Sequence, residues 1–254
     1  MVYDFDMATL TRKQREVRDR EARILEVARD MLIEQGYHGL SMDRIAEVLE
    51  YSKGTMYQHF SCKEEIILAL ANLSLTDRLA FFRRAASYPG RTRQRLAAVG
   101  VAIELFVRLY PHHFRLEQVL RLSSVWEKTS AERRQFMHHC ESQCVGCVSG
   151  IARDAIACGD LTLGDGVTPE QLVFGLWSMS FGAQTILSSS TSLVDIGVGD
   201  PHRALALNQN RLLDGYGWRP LSTEFDYAAA SERIATEWFA KEVEQASKSE
   251  TRGT

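Results

Sequence analysis

The sequence lacks an uninterrupted apolar run of the roughly 18 residues that a membrane span needs. It also lacks a signal-peptide pattern near its start, where Asp4 and Asp6 closely follow Met1. Its five cysteines are an odd number in a chain of 254 residues, unlike the dense, even framework of a small secreted domain. We therefore expect a soluble, cytoplasmic protein with reduced thiols and no membrane partner.

Several signatures of enzymes and nucleotide-binding proteins are also absent. The chain has no Gly-x-Ser-x-Gly elbow, no Gly-x-x-x-x-Gly-Lys loop and no Gly-x-Gly-x-x-Gly after a strand. No strand pattern, repeat or low-complexity tract is visible. We expect neither an enzymatic activity nor a cofactor. The net charge of −3 is ordinary and does not decide about nucleic acid, because a local basic surface can be hidden in an acidic total.

Helical periodicity dominates what is present, and the hydrophobic content of 45% suffices for a sizeable core. In the first predicted helix, apolar residues recur at i, i+3, i+4, i+7 and i+8, and Gly36 can end that helix. This stripe consists of Ile24, Val27, Ala28, Met31 and Leu32. Two short helices should follow, one opening at Ser41 or Met42 and one capped by Ser52. The expected fold class is therefore all-α.

Longer helices are predicted downstream, and proline or glycine marks several of their ends. Pro111 should stop one helix, because the residue before a proline resists the helical conformation. Gly159 occupies the favoured position after the end of another helix. The predicted spans are 63–86, 92–109, 112–122, 130–158, 169–187, 201–213 and 223–247.

Residues 51–65, YSKGTMYQHFSCKEE, combine helical apolar spacing with many hydrogen-bonding groups. Met56 and Phe60 lie four residues apart and predict an inward face, with the polar residues left outside. Two short helices joined by a tight turn, the second with outward polar groups, form the helix-turn-helix that places a recognition helix in the major groove. The candidate DNA-binding residues are Ser41, Ser52, Lys53, Gly54, Thr55, Tyr57, Gln58, His59 and Lys63.

Particular contacts follow from the chemistry of these side chains. Lys53 and Lys63 can neutralise phosphates, and the backbone N–H groups at the Ser52 start suit anions. Gln58 can read adenine edges, while Thr55 offers both a hydroxyl and a methyl group. The sequence therefore predicts both phosphate and base contacts.

Two features of this region have an alternative interpretation. Tyr57 and His59 could equally pack against the core of the motif, because amphipathic side chains often bury their stems. The segment before the motif is locally basic, since six cations outnumber Glu16, Asp19 and Glu21. It could reach DNA or could be a solvated helix face. The six cations are Arg12, Lys13, Arg15, Arg18, Arg20 and Arg23.

The run from Arg23 to Glu65 resembles the DNA-binding domain of the tetracycline-repressor (TetR) family of bacterial regulators. It covers about a fifth of the chain. The matching features are Gly36-Tyr37, Ile45-Ala46, Ser52-x-Gly54, Tyr57-x-His59-Phe60 and Lys63-Glu64. The resemblance implies a helix-turn-helix domain at 12–66 and a larger helical bundle for effector binding and dimerisation at 67–247. It further implies a homodimer on a double-stranded, palindromic operator, most often a repressor released by a small effector.

The chain departs from the family pattern at two places. Many members have Ala-Gly in the turn before the recognition helix, where this chain has Leu49-Glu50. A non-glycine residue is uncommon at positive φ, which leaves the geometry of the turn open. Cys62 replaces a small polar residue, and a thiol at a helix N-terminus can have a lowered pKa, which would suit redox sensing close to the DNA.

A cysteine cluster gives the alternative function, a metal- or thiol-sensing DNA-binding regulator. Cys140, Cys144 and Cys147 lie at i, i+4 and i+7 and share one helix face, with His139 beside them. Three thiolates and an imidazole could hold zinc, although one continuous helix is not the usual finger spacing. Free cysteine is also a small, commonly buried hydrophobe. We expect reduced, metal-free core residues.

Aromatic and small residues in the predicted bundle give candidate effector and dimer sites. Bundle interiors host ligands, and in regulators resembling this family an apolar or amphipathic effector lies between such helices. The candidate ligand-binding residues, each of which could equally be core, are Phe106, Tyr110, Phe114, Trp126, Phe136 and Trp177. In the resembled family the last two long helices form a four-helix bundle between subunits, whereas packing within one chain is the alternative. The candidate dimerisation residues are Gly175, Ser178, Gly182 and Trp238.

Overall fold

The computed structural model describes residues 11–120, 123–188 and 193–252, and within these ranges the chain is helical without a strand. The all-α expectation is confirmed. The helices are α1 (Arg12–Gly39), α2 (Met42–Val48), α3 (Lys53–His59), α4 (Lys63–Ala86), α5 (Thr92–Leu109), α6 (Pro111–Leu120), α7 (Ser123–Trp126), α8 (Ala131–Ala157), α9 (Pro169–Leu187), α10 (Pro201–Gly215), α11 (Tyr227–Arg233) and α12 (Ala240–Arg252).

Most helix ends lie where local signals predict them. Gly36 has a φ of 68° and interrupts α1 near its end, while Gly159 has a φ of 82° just after α8. Helix α9 begins with Pro169, and Thr168 and Gln171 form a reciprocal capping box. The predicted end of α6 at residue 122 lies outside the described residues.

The predicted single helix at 223–247 is wrong. Helix α11 ends at Arg233, a π-helical turn spans Ile234–Trp238, and α12 begins at Ala240. The π turn is closed by a 3.1 Å hydrogen bond from Phe239 N–H to Ile234 O. Ile234 and Phe239 are both fully buried although they lie five residues apart. The extra residue in the turn therefore brings both side chains to the core, which a regular 3.6-residue period would not do.

The chain packs as two compact units that differ from the predicted sequential domains. Unit 1 contains the residues up to Thr76 together with His112–Cys140, and unit 2 contains Asp77–Pro111 and the residues from Glu141 onwards. Helices α4 and α8 thus contribute residues to both units. The functional boundary between residues 66 and 67 stays a prediction.

The core of unit 1 joins the three N-terminal helices to α4 and to the segment after α5. Its fully or almost fully buried apolar side chains come from all of these elements. They include Ile24, Ile45, Met56, Phe60, Ile66, Leu116, Leu120, Val125 and Met137. The helices of the motif therefore do not have a core of their own.

Unit 2 is organised around the buried guanidinium of Arg93, which is 1% exposed. Its Nη1 lies 2.7 Å from Asp214 Oδ1 and donates a hydrogen bond to Pro220 O at 2.9 Å, while its Nη2 donates to Asn210 O at 3.0 Å. The guanidinium also lies 4.6 Å from the centroid of the Tyr227 ring. One side chain of α5 thus fixes the end of α10 and the connection to α11.

Burial raises the pKa of Asp214, but hydrogen bonds from Ser222 and Arg93 outweigh it, so that the pKa lies below its usual value. The carboxylate is therefore charged at neutral pH and compensates the buried guanidinium. Such compensation is required, because an unpaired buried charge is strongly destabilising.

Candidate nucleic-acid interface

The turn between α2 and α3 has the left-handed geometry expected of glycine, although it contains Glu50. Tyr51 N–H donates to Ala46 O at 2.9 Å, and Glu50 N–H donates to Glu47 O at 3.2 Å. These two bonds form a Schellman motif, which needs a residue in the left-handed region after the helix end. Glu50 supplies it with a φ of 56°. The departure from the family pattern therefore leaves a tight turn but introduces strain.

Helix α3 begins as predicted. Ser52 has an extended backbone, and its Oγ accepts a hydrogen bond from Thr55 N–H at 3.1 Å. The hydroxyls of Ser52 and Thr55 also lie 2.9 Å apart, within hydrogen-bond distance. The Thr55 hydroxyl is thus engaged in the cap, while Ser41 opens α2 without a side-chain cap.

The two faces of α3 divide as the sequence predicts. Met56 and Phe60 are each 1% exposed and belong to the core of unit 1. Lys53, Gly54 and Gln58 are exposed, and Tyr57 is 55% exposed. The confirmed inward face leaves a polar, solvent-facing surface on α3.

Lys53 pairs with Asp43 of α2 across this surface. Its Nζ lies 2.9 Å from Asp43 Oδ1, and both side chains are well exposed. The hydrogen bond to Asp43 raises the pKa of Lys53. An exposed pair of this kind contributes little to stability, so its cation can be redirected to a phosphate at small cost.

His59 and Lys63 are held by contacts within unit 1. The side chain of His59 is 5% exposed, and its Nδ1 lies 3.6 Å from Glu21 Oε1 of α1. Lys63 Nζ lies 3.4 Å from Tyr37 O, 3.5 Å from Leu40 O and 4.2 Å from the centroid of the Tyr37 ring. His59 thus contacts the side of α1, and Lys63 contacts the backbone near its C-terminal end. Their contacts with DNA stay predictions.

The basic segment is a continuous part of α1. Thr11 and Gln14 form a capping box at its start, and Arg12 pairs with Glu16 at 2.9 Å on the surface. All six predicted cations are exposed or half-exposed. Their contact with DNA is likewise a prediction.

Two buried carboxylates next to the motif were not predicted from the sequence. Glu64 is 4% exposed; it accepts hydrogen bonds from Tyr37 Oη at 3.1 Å and Lys128 Nζ at 3.2 Å. Burial raises its pKa, but hydrogen bonds from its own backbone and from these two side chains outweigh that effect and lower it. Glu65 is 5% exposed and contacts the start of α8. Their only sequence signal is an acidic pair at a helix start, which ordinarily indicates a favourable dipole interaction.

The cysteines give no support to a metal or thiol sensor. Cys140 and Cys144 are 4% and 5% exposed, and Cys147 is half-buried with a pKa raised by burial. Within residues 11–120, 123–188 and 193–252, no three His, Cys, Asp or Glu residues are grouped to hold a metal ion. Cys62 is half-buried, and its Sγ lies 3.5 Å from Lys128 O.

The candidate ligand-binding aromatics belong to both units. In unit 2, Phe106 is 4% exposed with its ring 5.2 Å from that of Tyr110, whereas Trp177 is 40% exposed. In unit 1, Trp126 and Phe136 are half-buried against the core, and Phe114 is also half-buried. Their role as one effector site stays a prediction.

The candidate dimer residues also have contacts or surroundings within unit 2. A Cβ at Gly175 would lie 3.5 Å from Leu212 of α10, and Trp238 Nε1 donates to Arg84 O at 3.1 Å. Ser178 is exposed and Gly182 is half-exposed on α9. Dimerisation through these positions stays a prediction.

Among the described helices, none has an apolar stretch of the length needed to span a bilayer.

Comparison with known proteins agrees with this motif. Residues 24–70 match the model of the bacterial regulatory proteins of the tetR family. The HTH-type transcriptional activator FasR of Mycolicibacterium smegmatis is 35% identical over 94 residues, which cover 37% of this chain and 42% of FasR. The chain thus spans less than half the length of this curated relative.

Solved structures show the same fold over most of the chain. A TetR/AcrR family regulator from Thermobifida fusca has a TM-score of 0.60 at 22% identity, over 78% of this chain and 98% of that one. FadR from Bacillus subtilis, solved with stearoyl-CoA, has a TM-score of 0.58 at 18% identity, over 76% and 98%. The fold and the motif thus define the class of helix-turn-helix regulators. Within that class, residues 24–70 carry the DNA-binding motif of the tetR family.

The strain at Glu50 gives a first prediction. A left-handed residue with a Cβ costs roughly 1–2 kcal/mol, of which the greater flexibility of unfolded glycine cancels a part. Glu50→Gly should therefore raise the free energy of unfolding by about 0.5–1 kcal/mol in urea titrations. Glu47→Gly, at an exposed helical position of α2, should lower it by a similar amount. Equal losses in both variants would contradict the strain at Glu50.

Proposed function

We propose that the protein is a dimeric transcription regulator that binds a palindromic DNA operator and responds to a small amphipathic effector. The observation that carries the proposal is the division of α3 into two faces. Met56 and Phe60 fix the helix in the core, while Lys53, Tyr57 and Gln58 lie on the solvent side. A helix held in this way can enter the major groove without losing its packing.

A second copy of the chain is proposed as the partner that completes the DNA-binding form. One short recognition helix reads too few bases to be selective alone. Helices α9 and α10 expose large apolar side chains, and a contiguous apolar surface marks an interaction site. These side chains are Phe174 at 63%, Trp177 at 40%, Ile186 at 50% and Leu207 at 55% exposure. A symmetric pairing of α9 and α10 would cover them.

The proposed class of effector is based on aromatic residues of this chain and on a structurally similar protein. In unit 1, Trp126 and Phe136 provide apolar surface suited to a hydrocarbon chain. The structurally similar FadR from Bacillus subtilis was solved with stearoyl-CoA. A long-chain acyl thioester is therefore the first effector to test for this chain.

The proposed response is release of a repressor from its operator. Helix α4 starts just after the recognition helix, and a ligand that favours a different position of α4 would change the spacing of the two recognition helices. A ligand shifts this equilibrium only by its differential affinity for the two arrangements. Effector and operator should therefore weaken each other's binding reciprocally.

DNA recognition is tested by selecting duplexes from a random library with the purified chain and measuring affinity by fluorescence anisotropy. Lys53→Ala should weaken binding to selected and scrambled duplexes alike and reduce the salt slope by about one. Gln58→Ala should instead relax the preference at one base position, by about 1–3 kcal/mol of discrimination. A wild-type chain that binds selected and scrambled duplexes equally at physiological salt would refute the proposed function.

Dimerisation is tested by placing a charge on the exposed face of α9. Phe174→Glu should shift the sedimentation coefficient to that of a monomer, because a buried unpaired carboxylate is costly in an apolar interface. It should also abolish binding to a palindromic duplex. Ile33→Glu, at a position 51% exposed on α1, is the matched control and should remain dimeric. Dimers of unchanged stability with Phe174→Glu would exclude this surface.

Effector control is tested with stearoyl-CoA, using acetyl-CoA as a control with the same head group but no long chain. Stearoyl-CoA should lower operator affinity by about tenfold, within the usual range of coupling between sites, and acetyl-CoA should not. Trp126→Ala should reduce this response without changing operator affinity in the absence of ligand. Calorimetric binding of stearoyl-CoA with unchanged operator affinity would contradict the control mechanism.

A further inference from the structure

The buried carboxylate of Glu65, in the first turn of α4, binds residues at the start of α8. Glu65 Oε2 lies 2.8 Å from Arg133 Nε and 3.3 Å from Ser130 Oγ, and Glu65 Oε1 accepts a hydrogen bond from Ser130 N–H. The side chains of Glu65 and Arg133 are 7% and 22% exposed. All these residues belong to unit 1.

The Glu65 carboxylate lies on α4 but accepts hydrogen bonds from Ser130 at the N-terminus of α8. The N–H groups at a helix start have no partner within the helix, and negative charge there is stabilising. In a capping box, a glutamate three residues into the same helix bonds to the N–H of the cap residue. Here Glu65 of α4 takes that role for Ser130. The position of the α8 start therefore depends on α4.

Arg133 connects the same carboxylate to the recognition helix. Its guanidinium carbon lies 5.0 Å from the centroid of the Phe60 ring, and Phe60 is the C-cap residue that follows α3. The backbone of Arg133 is fixed as well, because its O accepts a hydrogen bond from Asn72 Nδ2 at 3.1 Å. A shift of the α8 start would therefore act on the end of α3 directly, as well as through α4.

We propose that Glu65 and Arg133 are positioning residues, which hold α3 at the angle needed for specific DNA recognition. This proposal rests on the proposed function in DNA binding. Neither residue is assigned a contact with DNA. Loss of their pairing should leave the cationic surface of α3 intact and change only how its side chains meet the base edges.

The test compares specific with nonspecific binding in the full-length chain. Duplexes selected by the wild type and scrambled duplexes are titrated at physiological salt with Glu65→Gln, Arg133→Met and the double variant. Each single variant should lose about tenfold in affinity for the selected duplex, the scale of one charge-assisted hydrogen bond, and keep its affinity for the scrambled duplex. The double variant should lose no more than one single variant, because both act through the same pair.

Arg134→Met is the matched control, because it removes the same charge one residue further along α8. Arg134 contacts Trp126, with Nη1 3.1 Å from Trp126 O. This variant should retain the specificity of the wild type. Arg133→Lys provides a milder change, since it keeps a cation near Glu65 but lacks the planar group over Phe60. It should lose at least about threefold in the ratio of specific to nonspecific affinity, and it decides the matter if Arg133→Met does not fold.

The outcomes separate the two proposals. A purely structural role would lower the folded fraction and reduce both affinities alike, and that result would overturn the positioning role. An unchanged affinity ratio in Glu65→Gln and in the Arg133 variants would overturn it too, while leaving the proposed function intact. If the wild type itself shows no preference for any duplex, the proposed function fails and the positioning role falls with it.

Discussion

Burial of Met56 and Phe60 is the constraint on which the exposed surface of α3 depends. Helix α3 has seven residues, and an isolated helix shorter than about 12 residues is marginal in water. It therefore exists because Met56 and the C-cap residue Phe60 enter a core shared with α1, α2, α4 and the residues after α5. The polar face is consequently as rigid as this core. A substitution that repacks the surroundings of Met56 or Phe60 therefore also moves the side chains offered to DNA.

The position of most helices could be predicted because their ends carry local signals. Helices α5 and α9 coincide with their predicted spans, since Pro111 and Pro169 mark boundaries that need no knowledge of the fold. The π turn before Phe239 could not be predicted in this way. Ile234 and Phe239 are both buried in a core formed by residues distant in the sequence, and this packing overrides the regular helical period.

The roles of individual side chains at the motif were less predictable for a similar reason. The sequence shows that Lys63 is a cation at a helix start, but its carbonyl partners Tyr37 and Leu40 lie 26 and 23 residues earlier. Glu65 bonds to Ser130, 65 residues later. A local pattern identifies the motif and its outward face. It does not distinguish a side chain that faces a ligand from one that holds another segment in place.

The network around Arg93 has a consequence for the order in which the newly made chain can fold. Arg93 bonds to groups 117 and 127 residues later, and its counter-ion Asp214 lies between these two positions in the sequence. On the ribosome, α5 therefore emerges long before Asp214, which neutralises the Arg93 guanidinium. The residues of unit 1 are complete at Cys140, so that its core can form while unit 2 still lacks every residue from Glu141 onwards. Until Asp214 has been made, burial of this guanidinium would leave its charge uncompensated, so α5 can take its final place in the core of unit 2 only late in synthesis.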